Sequence, residues 1–162
     1  MDEVKLIMEL MKKLPRFEDG RIDYSNSDIA VAVTCFVKCG DEILLLKRSD
    51  KVREAKGKWC AVTGYLDEVK PAHEKAIEEI EEELGISRRH IARIKVGKVY
   101  RLRKASGKIL FIYPVLVELK DKPEIILNWE HTEYRWIKPD ELTKFDTVPE
   151  LDRIFKSIAD SI

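Results

Sequence analysis

Six glutamates lie between Glu74 and Glu83, and among them only Lys75 adds a positive charge. In an α-helix, which advances about 100° per residue, Glu79, Glu82 and Glu83 fall on one side, beside an apolar stripe. Like charges at this spacing destabilise a helix by roughly 0.2–0.5 kcal/mol per pair. Three converging carboxylates without a lysine partner suit a hard divalent cation, Mg²⁺ or Mn²⁺. A solvated helix face explains the same glutamates, so the triplet alone leaves both interpretations open.

The helix that carries these glutamates is predicted from Pro71 to Leu84. Proline fits the first turn of a helix, and Gly85 suits its end. The expected buried stripe consists of aliphatic residues at helical spacing: Ala72, Ala76, Ile77, Ile80 and Leu84. Glu74, Glu78 and Glu81 are expected on the opposite side.

The rest of the pattern mixes helices with strands. A first amphipathic helix is predicted over about residues 2–14, with Pro15 after it, and a last helical region begins at Pro139. Strands are predicted at Asp28–Val37, Glu42–Leu46, Arg93–Arg103, Ile109–Leu119 and Trp129–Ile137, and a short strand runs into a glycine turn within Trp59–Leu66. We therefore expect one α/β domain over residues 1–162, with a mixed sheet.

Composition restricts the class of partner only weakly. Lys plus Arg and Asp plus Glu number 30 each. The segment Leu84–Val117 has no acidic residue but nine basic ones, which could face a polyanion or could be ordinary surface charge. The three cysteines form no CxxC pair and no apolar leader is present, so we expect reduced thiols in the cytoplasm. No apolar run approaches the length of a membrane span.

The stretch Gly64–Ile86 resembles the signature of the Nudix hydrolases. That signature is Gly, five residues, Glu, seven residues, then Arg-Glu-U-x-Glu-Glu-x-Gly-U, where U is aliphatic. Gly64 and the block "EEIEEELGI" fit it, but Lys70 stands in place of the first Glu and Glu78 in place of the Arg. The flanking strings "GKWCAVTGYLDE" and "EHTEYRWIKPDEL" are also similar to the family, so the resemblance covers roughly Ile29–Leu142.

The resemblance implies an α/β/α sandwich and a metal-dependent hydrolase that acts on a nucleoside diphosphate linked to another group. Glu79, Glu82, Glu83 and the main-chain carbonyl of Gly64 would then ligate Mg²⁺ or Mn²⁺. The general base is left open among Glu79, Glu82 and the loop residue Glu130, with Glu133 as the fallback in that loop. In the family the first Glu and the Arg brace the loop against the helix. Lys70 and Glu78 keep opposite charges, so we interpret them as a swapped brace on an intact site.

Substrate contacts are expected outside this signature. Arg48 ends an apolar strand, and Arg101 and Arg103 alternate on one face of another, so all three could bind phosphate. Tyr100, Tyr113 or Trp129 could stack on a base. The string "EHTEYRW" is similar to Nudix members that act on nucleoside triphosphates or dinucleoside polyphosphates.

Two other classes of function remain open from the sequence. The first is a catalytically silent module that binds a nucleotide, for which Lys70 and Glu78 are the evidence. The second is an RNA 5′-end-directed hydrolase or binder that uses the basic stretch, although balanced charge and the lack of an RNA-binding motif disfavour nucleic acid. The first helix is expected either to pack on the domain or to form a homodimer contact.

Overall fold

The computed structural model describes residues 3–159. Residue 2, where the first helix was expected to start, and the outermost ends of the 1–162 domain lie outside the described residues. The helices are α1 (Glu3–Lys12), α2 (Ala72–Leu84) and α3 (Leu151–Ala159). The strands are β1 (Ile29–Cys39), β2 (Glu42–Arg48), β3 (Trp59–Cys60), β4 (Val62–Tyr65), β5 (Ile91–Val96), β6 (Tyr100–Arg103), β7 (Ile109–Leu119) and β8 (His131–Ile137). Two 3₁₀ helices span Arg88–His90 and Pro139–Lys144.

These eight strands form one mixed sheet. Its main path runs β3-β2-β1-β7-β5, while β4 also pairs with β1, β6 with β7 and β8 with β2. Strands β1 and β7 are parallel, from Ile29 opposite Ile109 to Lys38 opposite Glu118. The other pairings are antiparallel. The predicted mixed α/β sheet is therefore confirmed.

Helices cover both faces of the sheet. Alternate residues of a strand point to opposite sides, so one strand contributes to the core on each face. On β7, Ile112 and Leu116 pack in the same core as α3 residues. Val115 and Val117 pack in the other direction, in the core that includes the buried stripe of α2. These layers form the expected α/β/α sandwich.

Helix α1 covers one end of the α2 side of the sheet. Ile7 and Met11 are buried there in a core with Val33 and Tyr113. The prediction that the first helix packs on the domain is confirmed, and the homodimer contact stays a prediction. Of the described helices, none is long and apolar enough to cross a membrane.

The local structure of α2 follows its sequence closely. Ala76, Ile77, Ile80 and Leu84 are buried, and Glu74, Glu78 and Glu81 are exposed. Gly85 ends the helix at φ 68°, a left-handed conformation that glycine adopts without a steric penalty, and its N–H donates to the Glu81 carbonyl. The predicted faces of this helix are confirmed, except that Ala72, at its first turn, is only partly buried.

The single strand predicted at Arg93–Arg103 is wrong, because the structure divides it into β5 and β6. Residues 97–99 oppose only residues 113–114 of β7, so one extra residue interrupts the ladder. A Cβ at Gly97 would lie 2.8 Å from Cδ1 of Ile158, so glycine here lets α3 pack close to the sheet. At this break the sheet contacts a helix about sixty residues away in the sequence, and local β-propensity does not predict such a contact.

Candidate active site

The glycine turn and helix α2 meet in direct contact. Antiparallel pairing of β4 with β1 places Gly64 opposite Val33. A Cβ at Gly64 would lie 2.7 Å from Cδ of Glu79 and 2.8 Å from its Oε1. Any other residue would therefore push the Glu79 carboxyl away, which explains the need for glycine at the end of this strand.

The three glutamates of the triplet differ in burial. Glu83 is 1% exposed and Glu79 is 9% exposed, whereas Glu82 is exposed. Burial, a hydrogen bond with Glu79 and the nearby charges of Glu130, Glu79 and Glu82 raise the pKa of Glu83 above its usual range. Oε2 of Glu83 is buried and has no hydrogen-bond partner. The carboxyl groups of Glu79 and Glu83 are thus buried close together, and this arrangement favours the binding of a cation.

The loop before β8 is attached to the end of α2. The last carbonyls of a helix have no partner within the helix. Here the N–H of Ile126 donates to the Leu84 carbonyl at 2.9 Å, and that of Asn128 donates to the Glu83 carbonyl at 3.4 Å. The helix that carries Glu83 therefore also positions this loop.

Asn128 in turn orients Glu130. Its side-chain amide donates to Oε1 of Glu130 at 3.2 Å, and its side-chain oxygen accepts the Glu130 N–H at 3.1 Å. The Glu130 carbonyl accepts the N–H of Ser49. Asn128 was not predicted from the sequence, although an asparagine often accepts a hydrogen bond from the backbone N–H two residues further on, in an Asx turn.

Glu130 belongs electrostatically to the same group of carboxyls. Burial and the charges of Glu79 and Glu82 raise its pKa, against the hydrogen bond from Asn128 and the charge of Arg48, which lower it. Glu133, the fallback, instead accepts a hydrogen bond from Arg135. Of the two loop carboxylates, Glu130 therefore lies within the field of Glu79 and Glu82, and Glu133 is paired with Arg135.

Arg48 lies beside this group. It ends β2, where its register partner is His131, the residue after Glu130. Its Nε donates to the Glu54 carbonyl at 3.0 Å. Burial and the positive charge of Arg48 lower the pKa of His131 to about 4, so this imidazole is neutral near pH 7. Arg48 therefore borders the acidic site.

The expectation that the triplet lacks a lysine partner is wrong for Glu79. Nζ of Lys75 lies 3.0 Å from Oε1 of Glu79 and 3.6 Å from Oδ1 of Asp67. Lys75 precedes Glu79 by one helical turn, a spacing that brings the two side chains together. Glu79 is thus neutralised by an internal cation in this structure.

The pairing of Lys70 with Glu78 is confirmed. Nζ of Lys70 lies 2.6 Å from Oε1 and 2.7 Å from Oε2 of Glu78, and 3.4 Å from Oε1 of Glu68. The two departures from the signature therefore form a contact between the loop and α2.

Of the residues expected to contact substrate, Tyr100 and Arg101 have partners away from the acidic group. The Tyr100 hydroxyl donates to Oε1 of Glu150 at 2.6 Å, on the α3 side. Arg101 pairs with Glu3 of α1 at 3.3 Å and lies over the Phe111 ring, on the opposite side. Arg103 is exposed at the end of β6, Tyr113 is buried in the core and Trp129 is 60% exposed. The structure thus places Arg48 at the acidic group and ties Tyr100 and Arg101 to other acidic residues.

The basic stretch contacts acidic residues from elsewhere in the chain. Arg93 pairs with Glu118 at 2.9 Å, and Lys104 pairs with Glu54 at 3.1 Å. These pairs favour the interpretation of the stretch as ordinary surface charge. All three cysteines are free thiols, and Cys35 and Cys60 are buried, as expected.

The residues of the acidic group fit a divalent ion in their chemistry. Within residues 3–159, no three acidic, histidine or cysteine side chains are already arranged around one point as a metal site. Glu83 nevertheless has a buried oxygen without a partner, and Glu79 lies directly against Gly64. These are hard oxygen donors of the kind that Mg²⁺ prefers.

Comparison with known proteins agrees with this geometry. The NUDIX domain family matches residues 28–158, and no curated protein sequence matches the chain. A MutT protein from Methanosarcina mazei Go1 is similar at TM-score 0.66 and 20% identity, over 82% of this chain and 94% of that one. A C. elegans Ap4A hydrolase has TM-score 0.65 and 18% identity, over 82% of this chain and 96% of that one. A MutT NUDIX hydrolase from Burkholderia pseudomallei has TM-score 0.63 and 22% identity, over 80% and 97%.

At these identities the solved structures show a shared fold. The family match covers most of the chain, including Gly64, α2 and Glu130. The chain belongs to the Nudix family and is a Nudix-type pyrophosphohydrolase, a class of enzymes that generally use divalent metals.

Proposed function

We propose that this protein is a Mg²⁺- or Mn²⁺-dependent hydrolase that cleaves the diphosphate linkage of a nucleoside diphosphate joined to another group. The observation that carries the proposal is the buried, unpartnered oxygen of Glu83, beside Glu79 and within the field of Glu82 and Glu130. An anionic substrate would be repelled from this group of carboxyls unless a cation were bound there.

Glu79, Glu82, Glu83 and the carbonyl of Gly64 would hold the ion. When bound, a divalent ion supplies positive charge against the diphosphate and makes water a stronger nucleophile at neutral pH. The remaining chemistry is assigned to the protein. Glu130 accepts a proton from the attacking water, and its hydrogen bond with Asn128 keeps the carboxylate in place.

Arg48 is the proposed phosphate contact, since it lies close enough to lower the pKa of Glu130. Tyr100, Arg101 and Arg103 are proposed contacts for the more distant part of the substrate. To bind substrate, Tyr100 would have to exchange its hydrogen bond with Glu150 for one with a substrate group, and Arg101 would have to exchange its ion pair with Glu3 in the same way.

Nucleoside triphosphates and dinucleoside polyphosphates are the proposed substrates. The similarity to a structure named as an Ap4A hydrolase and to two named as MutT proteins supports this class. RNA is the weaker candidate, because the basic stretch contacts the protein's own acidic residues. The free thiols support a cytoplasmic location.

The test is phosphate release from a panel of nucleoside triphosphates, dinucleoside polyphosphates, nucleotide sugars and capped RNA. Turnover should require Mg²⁺ or Mn²⁺ and stop in excess chelator. Glu82→Gln and Glu83→Gln should each lose roughly a hundredfold or more in kcat/KM, because each removes charge from a metal ligand. Glu81→Gln, on the exposed side of α2, is the matched control and should be near neutral. Full turnover in chelator, or equal losses at Glu81 and Glu82, would reject the proposal.

A further inference from the structure

Three buried polar side chains form a row from β3 through β8 to α2. Cys60 is 1%, His131 5% and Glu83 1% exposed. Sγ of Cys60 lies 3.6 Å from Nε2 of His131. On the other side of the ring, Nδ1 of His131 lies 3.7 Å from Oε1 of Glu83. The proposed mechanism uses neither Cys60 nor His131, yet both are placed behind a proposed metal ligand.

The row contains two buried polar atoms without partners. Nδ1 of His131 and Oε2 of Glu83 both lack a hydrogen bond. Buried polar atoms are rarely left unpaired, so these two need an explanation. The distance from Nδ1 to Oε1 exceeds hydrogen-bond range by about half an ångström, which a small movement of the Glu83 carboxyl removes.

The contact with Cys60 decides which ring nitrogen carries the proton. Cys60 is buried, and a thiol in buried surroundings keeps its proton, so the group at Nε2 is an S–H donor. A neutral imidazole has one donor and one acceptor nitrogen. If Nε2 accepts from the thiol, Nδ1 carries the proton and faces Glu83. The opposite tautomer would turn a lone pair towards Glu83, which suits only a protonated carboxyl and hence a poor metal ligand.

We propose that His131 is a positioning residue, whose Nδ1–H, fixed by the Cys60 thiol at Nε2, orients the Glu83 carboxylate as an ionised metal ligand. This inference rests on the proposed metal-dependent function. It adds two residues outside the signature, in β3 and β8, that would act on the ion through Glu83. Partners of this kind fix the orientation of metal ligands and support their affinity.

The direct test is the tautomer of His131 in the unsubstituted protein. Long-range ¹H–¹⁵N spectra of Mg²⁺-saturated protein report which ring nitrogen is protonated. The chain has three histidines, His73, His90 and His131, and the signals lost in His131→Asn assign the third. We expect the proton on Nδ1. A proton on Nε2, or on both nitrogens, would overturn the inference.

The second test is Mn²⁺ affinity, measured by electron paramagnetic resonance. His131→Leu should bind Mn²⁺ about ten- to a hundredfold more weakly, the usual effect of removing such a partner. His131→Asn has an amide donor near the position of Nδ1 and should recover part of the loss. Cys60→Ser keeps a donor to Nε2 and should bind more tightly than Cys60→Ala. His90→Leu, at the surface, is the control and should match the parent.

Two outcomes separate this inference from the proposed function. If the parent binds Mn²⁺ and folded His131→Leu binds it equally well, His131 does not position Glu83, and the inference alone fails. If the parent binds no Mn²⁺, the inference and the proposed function fail together.

Discussion

The pair formed by Lys70 and Glu78 gives the sharpest test of whether this signature is intact with its charges exchanged. Lys70→Glu would place a carboxylate beside Glu78 and Glu68, and Glu78→Arg would place two cations together. The double variant restores the charges that the family signature carries. We therefore expect both single variants to be less stable than the parent and the double variant to recover most of the loss.

The magnitude follows from the exposure of the pair. Glu78 is 53% exposed although both oxygens contact Lys70, so we take about 0.5 kcal/mol, within the range of exposed pairs. Each single variant exchanges this attraction for repulsion and loses about 1 kcal/mol, or about 2–4 °C in Tm for a chain of this size. The coupling energy of the cycle is therefore about 2 kcal/mol. The contact of Lys70 with Glu68 is lost in both Lys70→Glu variants, so this loss cancels in the cycle.

The assay is urea unfolding of the four proteins, with kcat/KM measured on each. A second cycle that combines Lys70→Glu with Glu81→Arg is the control, because Glu81 is exposed on the same helix. That cycle should be additive. If the Lys70–Glu78 cycle is also additive within error, the observed contact does not stabilise the protein, and the swapped-brace interpretation is refuted.

Two further predictions concern Glu79. Lys75→Gln should tighten Mn²⁺ binding about fivefold. In the parent, Glu79 gives up an ion pair with Lys75, worth on the order of 1 kcal/mol, when the metal binds, and in the variant this cost is absent. Weaker binding of Mn²⁺ to the variant in a titration would show that Lys75 supports the site instead. Gly64→Ala should weaken Mn²⁺ binding and lower kcat/KM, because the new Cβ would occupy the place of the Glu79 carboxyl; Mn²⁺ affinity equal to that of the parent would contradict the contact.

Periodicity predicts α2 because both of its determinants are local. Its buried stripe repeats with the helical turn, and Gly85 supplies the left-handed residue that ends it. The contact of Lys70 with Glu78 was predicted from their positions in the family signature together with their opposite charges. These features need no knowledge of distant parts of the chain.

Other parts of the site depend on contacts that sequence spacing does not encode. The loop that carries Glu130 is held by backbone hydrogen bonds from Asn128 and Ile126 to the end of α2, over forty residues away. The Tyr100 hydroxyl pairs with Glu150, again from a distant segment. These contacts are determined by the folded structure and cannot be read from the spacing of residues in the sequence. The pair of Lys75 with Glu79 is different, because its i, i+4 spacing in α2 could have been recognised from the sequence.

The parallel pairing of β1 with β7 has a consequence for synthesis. Ile29 and Ile109 are partners across 80 positions, and the same offset holds up to Lys38 and Glu118. Contacts between residues this far apart in the sequence form late, because closing the long loop between them costs conformational entropy. Until the ribosome has released β7, the apolar edge of β1 has no partner on that side and is open to pairing with another nascent chain. We expect the charged segments made in between, the loop after Arg48 and the glutamates of α2, to limit aggregation during this interval.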